Sequence, residues 1–128
     1  MKQNNSKQGV VNLREKAALL TELWSPRVVG EVDDSYVKIA KVKGEFTWHD
    51  HQEDEFFLVL DGQLDIQMKD HTVSLNSGEF YVVPKGVMHN PVASGTCTLL
   101  LFEKKSTAHT GQVQEEMTRD LSEQLRPL

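Results

Sequence analysis

The sequence predicts an all-β fold, a sandwich or a barrel, and three observations predict it. Between Pro26 and Lys105, short runs rich in Val, Ile, Phe, Thr and Leu alternate with turn signals. The runs recur at near-regular spacing, which is the pattern of a sandwich or barrel rather than of an α/β sheet. One run, QLDIQM, alternates apolar and polar residues, as a strand does when one face meets a core and the other meets water.

In chain order, residues 1–11 read as a disordered lead, and MKQNNSKQGV lacks the apolar segment of a secretory signal. A short helix is expected from Asn12 to Trp24. Leu13, Ala17, Leu20 and Trp24 recur at helical spacing, Asn12 can serve as N-cap, and Glu15 stands at the third helical position. Trp24-Ser25-Pro26 ends it, because the residue before proline avoids helical angles. The strand candidates are RVVGEV, YVKIAKV, FTWHDH, EFFLVL, QLDIQM, HTVSL, EFYVVP and TCTLLLF, punctuated by VDDS, KGE, LDGQ, KDH, LNSG, PKG and ASG. EFFLVL and TLLLF are apolar on both faces. One face can fill a barrel; the other needs cover from the helix or a second subunit, so a homodimer is expected. Residues 12–105 form the domain, and 106–128 a tail. In that tail Val113, Met117, Leu121 and Leu125 fall every fourth residue, a weak amphipathic helix expected to be solvated and loosely docked.

Composition narrows the function. The chain has 128 residues, 38% apolar and 26% charged, as in a soluble single domain with a real core. No apolar run reaches membrane-spanning length. A net charge of -5 and the lack of a basic run argue against nucleic acid. Lys38, Lys41 and Lys43 alternate with apolar residues as on the solvated side of a strand. Cys97 is the only cysteine; it reads as a small buried apolar residue, and the absence of a disulfide fits a reducing cytoplasm.

The chemistry lies in WHDHQEDEFF, Trp48 to Phe57. On a strand, His49 and His51 point to the same face, where two imidazoles suit a shared divalent cation. Glu55 opens EFFLVL on the face of Phe57 and Val59, and a carboxylate directed into a barrel is costly unless paired or metal-bound. Glu53 and Asp54 are rivals that fit a solvated turn better. A further ligand is available in PKGVMHNP, where His89 follows a turn built by Pro84 and Gly86. His71, in a hairpin turn, and His109, in the tail, are expected to be exposed and to compete poorly.

These residues carry a resemblance. Gly44 to Gly62 resembles the first cupin motif, with His49, His51, Glu55 and Gly62 on its positions. GEFYVVPKGVMH resembles the second, with Gly78, Pro84, Gly86 and His89. LREKAALL, WSP and VVPKGV.H.PVA extend the similarity to small single-domain cupins labelled mannose-6-phosphate isomerase-like. Two departures stand out. Gly44 precedes His49 by four intervening residues where the family has five, and Ala93 replaces an asparagine common in the second motif. The resemblance implies a double-stranded β-helix, a jelly-roll barrel, with His49, His51, Glu55 and His89 converging inside.

Three neutral imidazoles and one carboxylate suit Fe, Mn, Ni, Co or Zn. An octahedral ion so held keeps two adjacent positions for a small oxygenated substrate, which it would polarise as a Lewis acid. That supports a metal-dependent dioxygenase or an isomerase; the alternatives are a binding or sensing cupin without turnover, or an ion that is purely structural. An isomerase of sugar phosphates would also need a cation, for which Lys38, Lys41 and Lys85 are candidates, while Tyr36, Tyr81, Trp48 and Met88 are candidate pocket walls.

Overall fold

A computed structural model describes residues 9–111 and 117–128. The first eight residues of the lead and positions 112–116 of the tail, including Val113, lie outside the described residues. Seven strands account for the domain: β1 (Arg27–Val32), β2 (Ser35–Glu45), β3 (Glu55–Asp61), β4 (Gln63–Met68), β5 (Thr72–Asn76), β6 (Phe80–Val83) and β7 (His89–Lys104). Short helices flank them, α1 (Leu13–Ala17) and α2 (Leu121–Gln124).

All strand pairings are antiparallel, and β7 organises them. Its first residues, His89 to Val92, pair with Met68 to Asp65 of β4. Its later residues lie between β2 and β3, with Leu100 opposite both Ile39 and Leu58. The strand therefore passes from one wall of the molecule to the other. One wall runs β1-β2-β7-β3-β6, and the other adds β4 and β5 to the first part of β7. A shift of register between Val42 and Gly44 marks the bend. This is the rolled jelly-roll barrel that the family resemblance implies, one of the sandwich or barrel folds open to the strand pattern.

The interior follows the alternation in the sequence. β4 reads exposed, buried, intermediate, buried, intermediate, buried, with Leu64 and Ile66 at 0% exposure. Phe57, Val59, Val42, Leu99 and Leu101 complete the core from facing strands. Each fully buried residue of this size contributes about 1.5–3 kcal/mol by leaving water. Gly62 closes the turn between β3 and β4 at φ 96, and a Cβ there would lie 2.7 Å from the carbonyl oxygen of Thr96. Both the backbone angle and the close approach require glycine.

Several expectations need correction. The N-terminal helix stops at Ala17, not at Trp24, although Asn12 does cap it by accepting from the backbone of Glu15. Trp24 instead takes φ 56, is buried, stacks on Phe46 at 4.7 Å and donates through its indole to Lys43 O at 2.9 Å. Docking this ring into the core outweighs continuing the helix. ASG, read as a turn, lies within β7, whose ladder shifts register there rather than ending. FTWHDH is not a regular strand; His49 forms a single bridge to His89, and His51 lies beyond it.

The tail is docked more firmly than expected. Met117 packs against the core and Gln124 is buried at 3% exposure, whereas Leu121 and Leu125 face outward. The periodic apolar residues thus do not define its buried face. Polar contacts hold it: Lys16 donates to Leu128 O at 2.9 Å, and Arg126 bonds Glu22 at 2.8 Å.

Candidate metal centre

Backbone hydrogen bonds set the site before any side chain acts. His49 and His89 exchange N–H to O bonds at 3.0 and 2.9 Å, which places the two motifs side by side. Gly86 donates to His51 O at 2.8 Å and ties the PKG turn to the same loop. Asp54 accepts from the backbone of Lys85 at 2.9 Å, and Glu53 accepts from Ser106 at 2.8 Å. Those two carboxylates serve the loop, and neither joins the cluster.

Glu55 opens β3 and points inward, as its spacing predicts. His49, His51, Glu55 and His89 are all buried, and their ligand atoms lie within 4.8 Å of one another. The Nδ1–H of His49 donates to Thr47 O at 2.8 Å, and that of His89 to Val87 O at 2.9 Å. These bonds fix the tautomer and leave each Nε2 lone pair facing the cluster. Glu55 Oε1 stands 3.1 Å from Nε2 of both His51 and His89. His51 Nε2 has this ion-pair contact without the alignment of a hydrogen bond, and among the described residues its buried Nδ1 has no hydrogen-bond partner. Three buried imidazoles converging on a buried carboxylate are a donor set that a shared cation would satisfy. The donor set fits a divalent metal.

The electrostatics agree. Burial and the neighbouring His89 push His49 down to about 4, against the pull of Glu55. Burial also disfavours the charged form of His51, but the Glu55 carboxylate outweighs it and the net shift is upward. Burial would raise Glu55; His51 and His89 overcome it and hold the carboxyl well below its usual range.

Behind the cluster is a second buried group that the sequence does not reveal. Glu103 follows Phe102, the ladder partner of Phe56, so it stands beside Glu55 on the adjacent strand. Lys38, expected on a solvated face, is 1% exposed; its Nζ lies 2.7 Å from Glu103 Oε1 and donates to Gln124 Oε1 at 2.6 Å. Burial and the charge of Glu55 push Glu103 up to about 8, against the pull of Lys38. Alternation correctly puts Lys38 on one face with Ala40 and Val42, but that face is the interior. Only the β2–β7 register and the position of α2 pair it.

A pH dependence follows for the metal-free protein. His49 at about 4 and His109 at about 3 bind protons more weakly when folded than when unfolded, so stability falls as pH drops below about 6.5. His51 and Glu103 shift the other way, so stability falls again as pH rises toward 8. Thermal melts of the apoprotein are expected to peak near pH 6.5, and Glu103→Gln to flatten the alkaline limb. A melting temperature that climbs steadily to pH 9 would contradict these assignments.

His71 is exposed and bonded to Asp70 at 2.7 Å, as expected. His109 is not exposed. It lines a cavity of about 30 Å³ together with His49, Glu55, Trp24, Phe46 and Phe57. None of Tyr36, Tyr81, Trp48 and Met88 borders this cavity; Trp48 is exposed, and Tyr81 and Met88 line a separate surface depression. Cys97 is buried, and burial pushes its thiol up to about 11, so it packs as an inert apolar residue.

A rolled antiparallel barrel with two imidazoles and a carboxylate from one loop, and a third imidazole from the start of the last strand, defines a cupin. The chain belongs to that family: residues 35–113 match the model described as Cupin domain. The described residues form one small cupin domain. It is 36% identical over 90 residues to the protein YdbB of Bacillus subtilis (strain 168), covering 69% of this chain and 79% of that protein. The crystal structure of a cupin-2 domain containing protein from Shewanella frigidimarina superposes with a TM-score of 0.75 at 41% identity, covering 79% of this chain and 100% of that one. Protein NMB1881 from Neisseria meningitidis gives 0.70 at 28% identity, with 76% and 100% covered. Among the described residues, no helix is long and apolar enough to cross a membrane.

Proposed function

We propose that His49, His51, Glu55 and His89 hold one divalent transition metal, and that the protein is a metal-dependent enzyme acting on a small oxygenated metabolite. The convergence of four buried donors within 4.8 Å carries this reading. Such an ion, when bound, polarises a chelating oxygen ligand and can bring it together with dioxygen. The chain supplies the rest. The carbonyls of Thr47 and Val87 orient two imidazoles, Glu55 lowers the charge of the centre, and Trp24, Phe46 and Phe57 keep bulk water out.

The cavity walls weigh against sugar-phosphate isomerisation, which leaves oxygen chemistry on a small chelating oxygen ligand as the favoured reading. Those walls include no lysine or arginine among the described residues, and Lys38 is already committed to Glu103 and Gln124. Lys85 is exposed on the PKG turn. A phosphate would find no cation there.

The test pairs elemental analysis of protein purified without metal supplementation with oxygen uptake by the Fe(II)-loaded protein over a panel of enediols, catechols and diketones. About one metal per chain with turnover of a panel member supports an enzyme. Stoichiometric metal and tight binding without turnover would make the protein a sensor, and no metal at all would remove the basis of both readings.

A homodimer completes this proposal. On the outer face of β3, β6 and β7, Phe56 stacks on Phe80 at 4.9 Å and meets Phe102 edge-on at 6.5 Å, with Val82 alongside. Phe80 is 60% exposed, and α1 lies instead beside Leu60 and Thr98. The uncovered aromatics suit the twofold face of a second copy. Phe80→Asp is expected to weaken the dimer at least about tenfold in sedimentation equilibrium. A parent protein that sediments as a monomer at micromolar concentration refutes the pairing.

A further inference from the structure

The geometry points to His109 as a working part of the metal centre: a hydrogen-bond donor, through Nε2–H, to an anionic oxygen of the carboxylate or enolate type bound at the positions the four protein donors leave free. This inference rests on the metal reading above.

His109 comes from the segment after the last strand, which sequence pattern alone assigns to a solvated tail. The structure anchors it over the ligand loop. Gly111 packs so closely on the backbone of Asp50 that a Cβ has no room, Ser106 bonds Glu53 at 2.8 Å, and Thr110 and Thr118 share a hydrogen bond of 2.7 Å. Held there, the ring forms one wall of the cavity that His49 and Glu55 also line. It lies 5.0 Å from the Phe46 ring, which in turn meets His49 edge-on at 5.5 Å.

The tautomer is fixed by the backbone. Arg119 N–H donates to His109 Nδ1 at 2.8 Å, so Nδ1 is an acceptor and the proton of the neutral ring sits on Nε2. The ring cannot take a second proton without losing that bond, and burial pushes its pKa down to about 3. Nδ1 is the ring nitrogen with a partner among the described residues. That leaves the Nε2–H of a ring that lines the cavity free to donate to an oxygen bound there.

His109 is not a fifth ligand. It does not join the group whose donor atoms lie within 4.8 Å of one another, and it packs on Phe46 instead. A cavity of about 30 Å³ admits a small oxygen ligand between the cluster and the ring.

The experiment uses the full chain loaded with Co(II), with metal content, thermal melts and the visible spectrum recorded during a formate titration, formate being small enough for the cavity. His109→Phe removes the donor and keeps a ring; His109→Gln keeps an N–H donor. The expected result is unchanged cobalt content for both, a lower melting temperature in His109→Phe, which takes the Nδ1 acceptor from Arg119 N–H, formate binding weakened about tenfold in His109→Phe, and most of it restored in His109→Gln. Should the Phe variant not fold, His109→Leu provides the same contrast with His109→Gln.

Equal formate affinity in parent and His109→Phe overturns the inference while leaving the metal reading intact. Loss of cobalt from His109→Phe overturns it too, since His109 would then be a ligand or a structural support. A cobalt-loaded parent whose spectrum ignores formate leaves no bound oxygen to receive the proton, and the inference fails on that result as well. A parent that takes up no cobalt defeats the metal reading itself, and this inference falls with it.

Discussion

His49→Ala and His89→Ala are each expected to drop bound metal from about one ion per chain to near zero. The two residues come from separate motifs with four strands between them, yet their backbones are hydrogen-bonded to each other and their rings lie 4.4 Å apart. Each supplies one Nε2 whose orientation is fixed by a carbonyl behind it. Removing either leaves two imidazoles and a carboxylate, a set that holds a labile dication far less tightly at neutral pH. Because imidazoles bind metal only when neutral, occupancy of the parent is also expected to fall as pH drops below about 6. Elemental analysis after gel filtration measures both. Unchanged metal in the two alanine variants would mean that the ion, if any, is bound elsewhere.

The second large effect concerns the buried pair behind the cluster. Glu103→Leu is expected to destabilise the metal-free protein by about 3–5 kcal/mol, a fall of about 10–20 °C in melting temperature. The variant leaves the Lys38 ammonium, 1% exposed, without a carboxylate, held only by the side-chain oxygen of Gln124 and the face of the Tyr36 ring 5.8 Å away among the described residues. Adding Lys38→Met removes the stranded charge, so the double variant is expected to recover most of the loss. Melts of the two single variants and the double variant decide it. If Glu103→Leu melts with the parent, the pair is not a supporting element of the barrel end; if the double variant is no better than Glu103→Leu, the loss comes from packing instead.

Much of the barrel and of the candidate metal cluster is legible in local pattern. Alternation in QLDIQM places Leu64 and Ile66 inside because strand periodicity is local and needs no tertiary information. Glu55, Phe57 and Val59 share a face for the same reason. His49 and His51 come together although their segment is not a regular strand, since spacing and a single bridge suffice to aim both rings inward. His89 needs the order of the motifs, which carries information about barrel closure that periodicity lacks.

What escapes the sequence depends on long-range contacts. Lys38 alternates like a solvated lysine, and only pairing with Glu103 and Gln124, the latter 86 residues away, reveals that it is interior. Trp24 fits a helical stripe, yet the core claims its ring. The apolar period of the tail misleads in its last turns, where Met117 packs on the core but polar Gln124 is buried while Leu121 and Leu125 stay outside. His109 has no local signal at all, because its partners, Phe46 and Arg119, are set by the docking of the tail.

The most direct test of the central claim is an anomalous-difference map from crystals of protein grown with Co(II), collected on both sides of the cobalt edge. The account predicts one strong peak per chain inside the barrel, about 2.0–2.2 Å from Nε2 of His49, His51 and His89 and from a carboxylate oxygen of Glu55. A map without a peak there, or with cobalt only at surface sites such as His71, would contradict it.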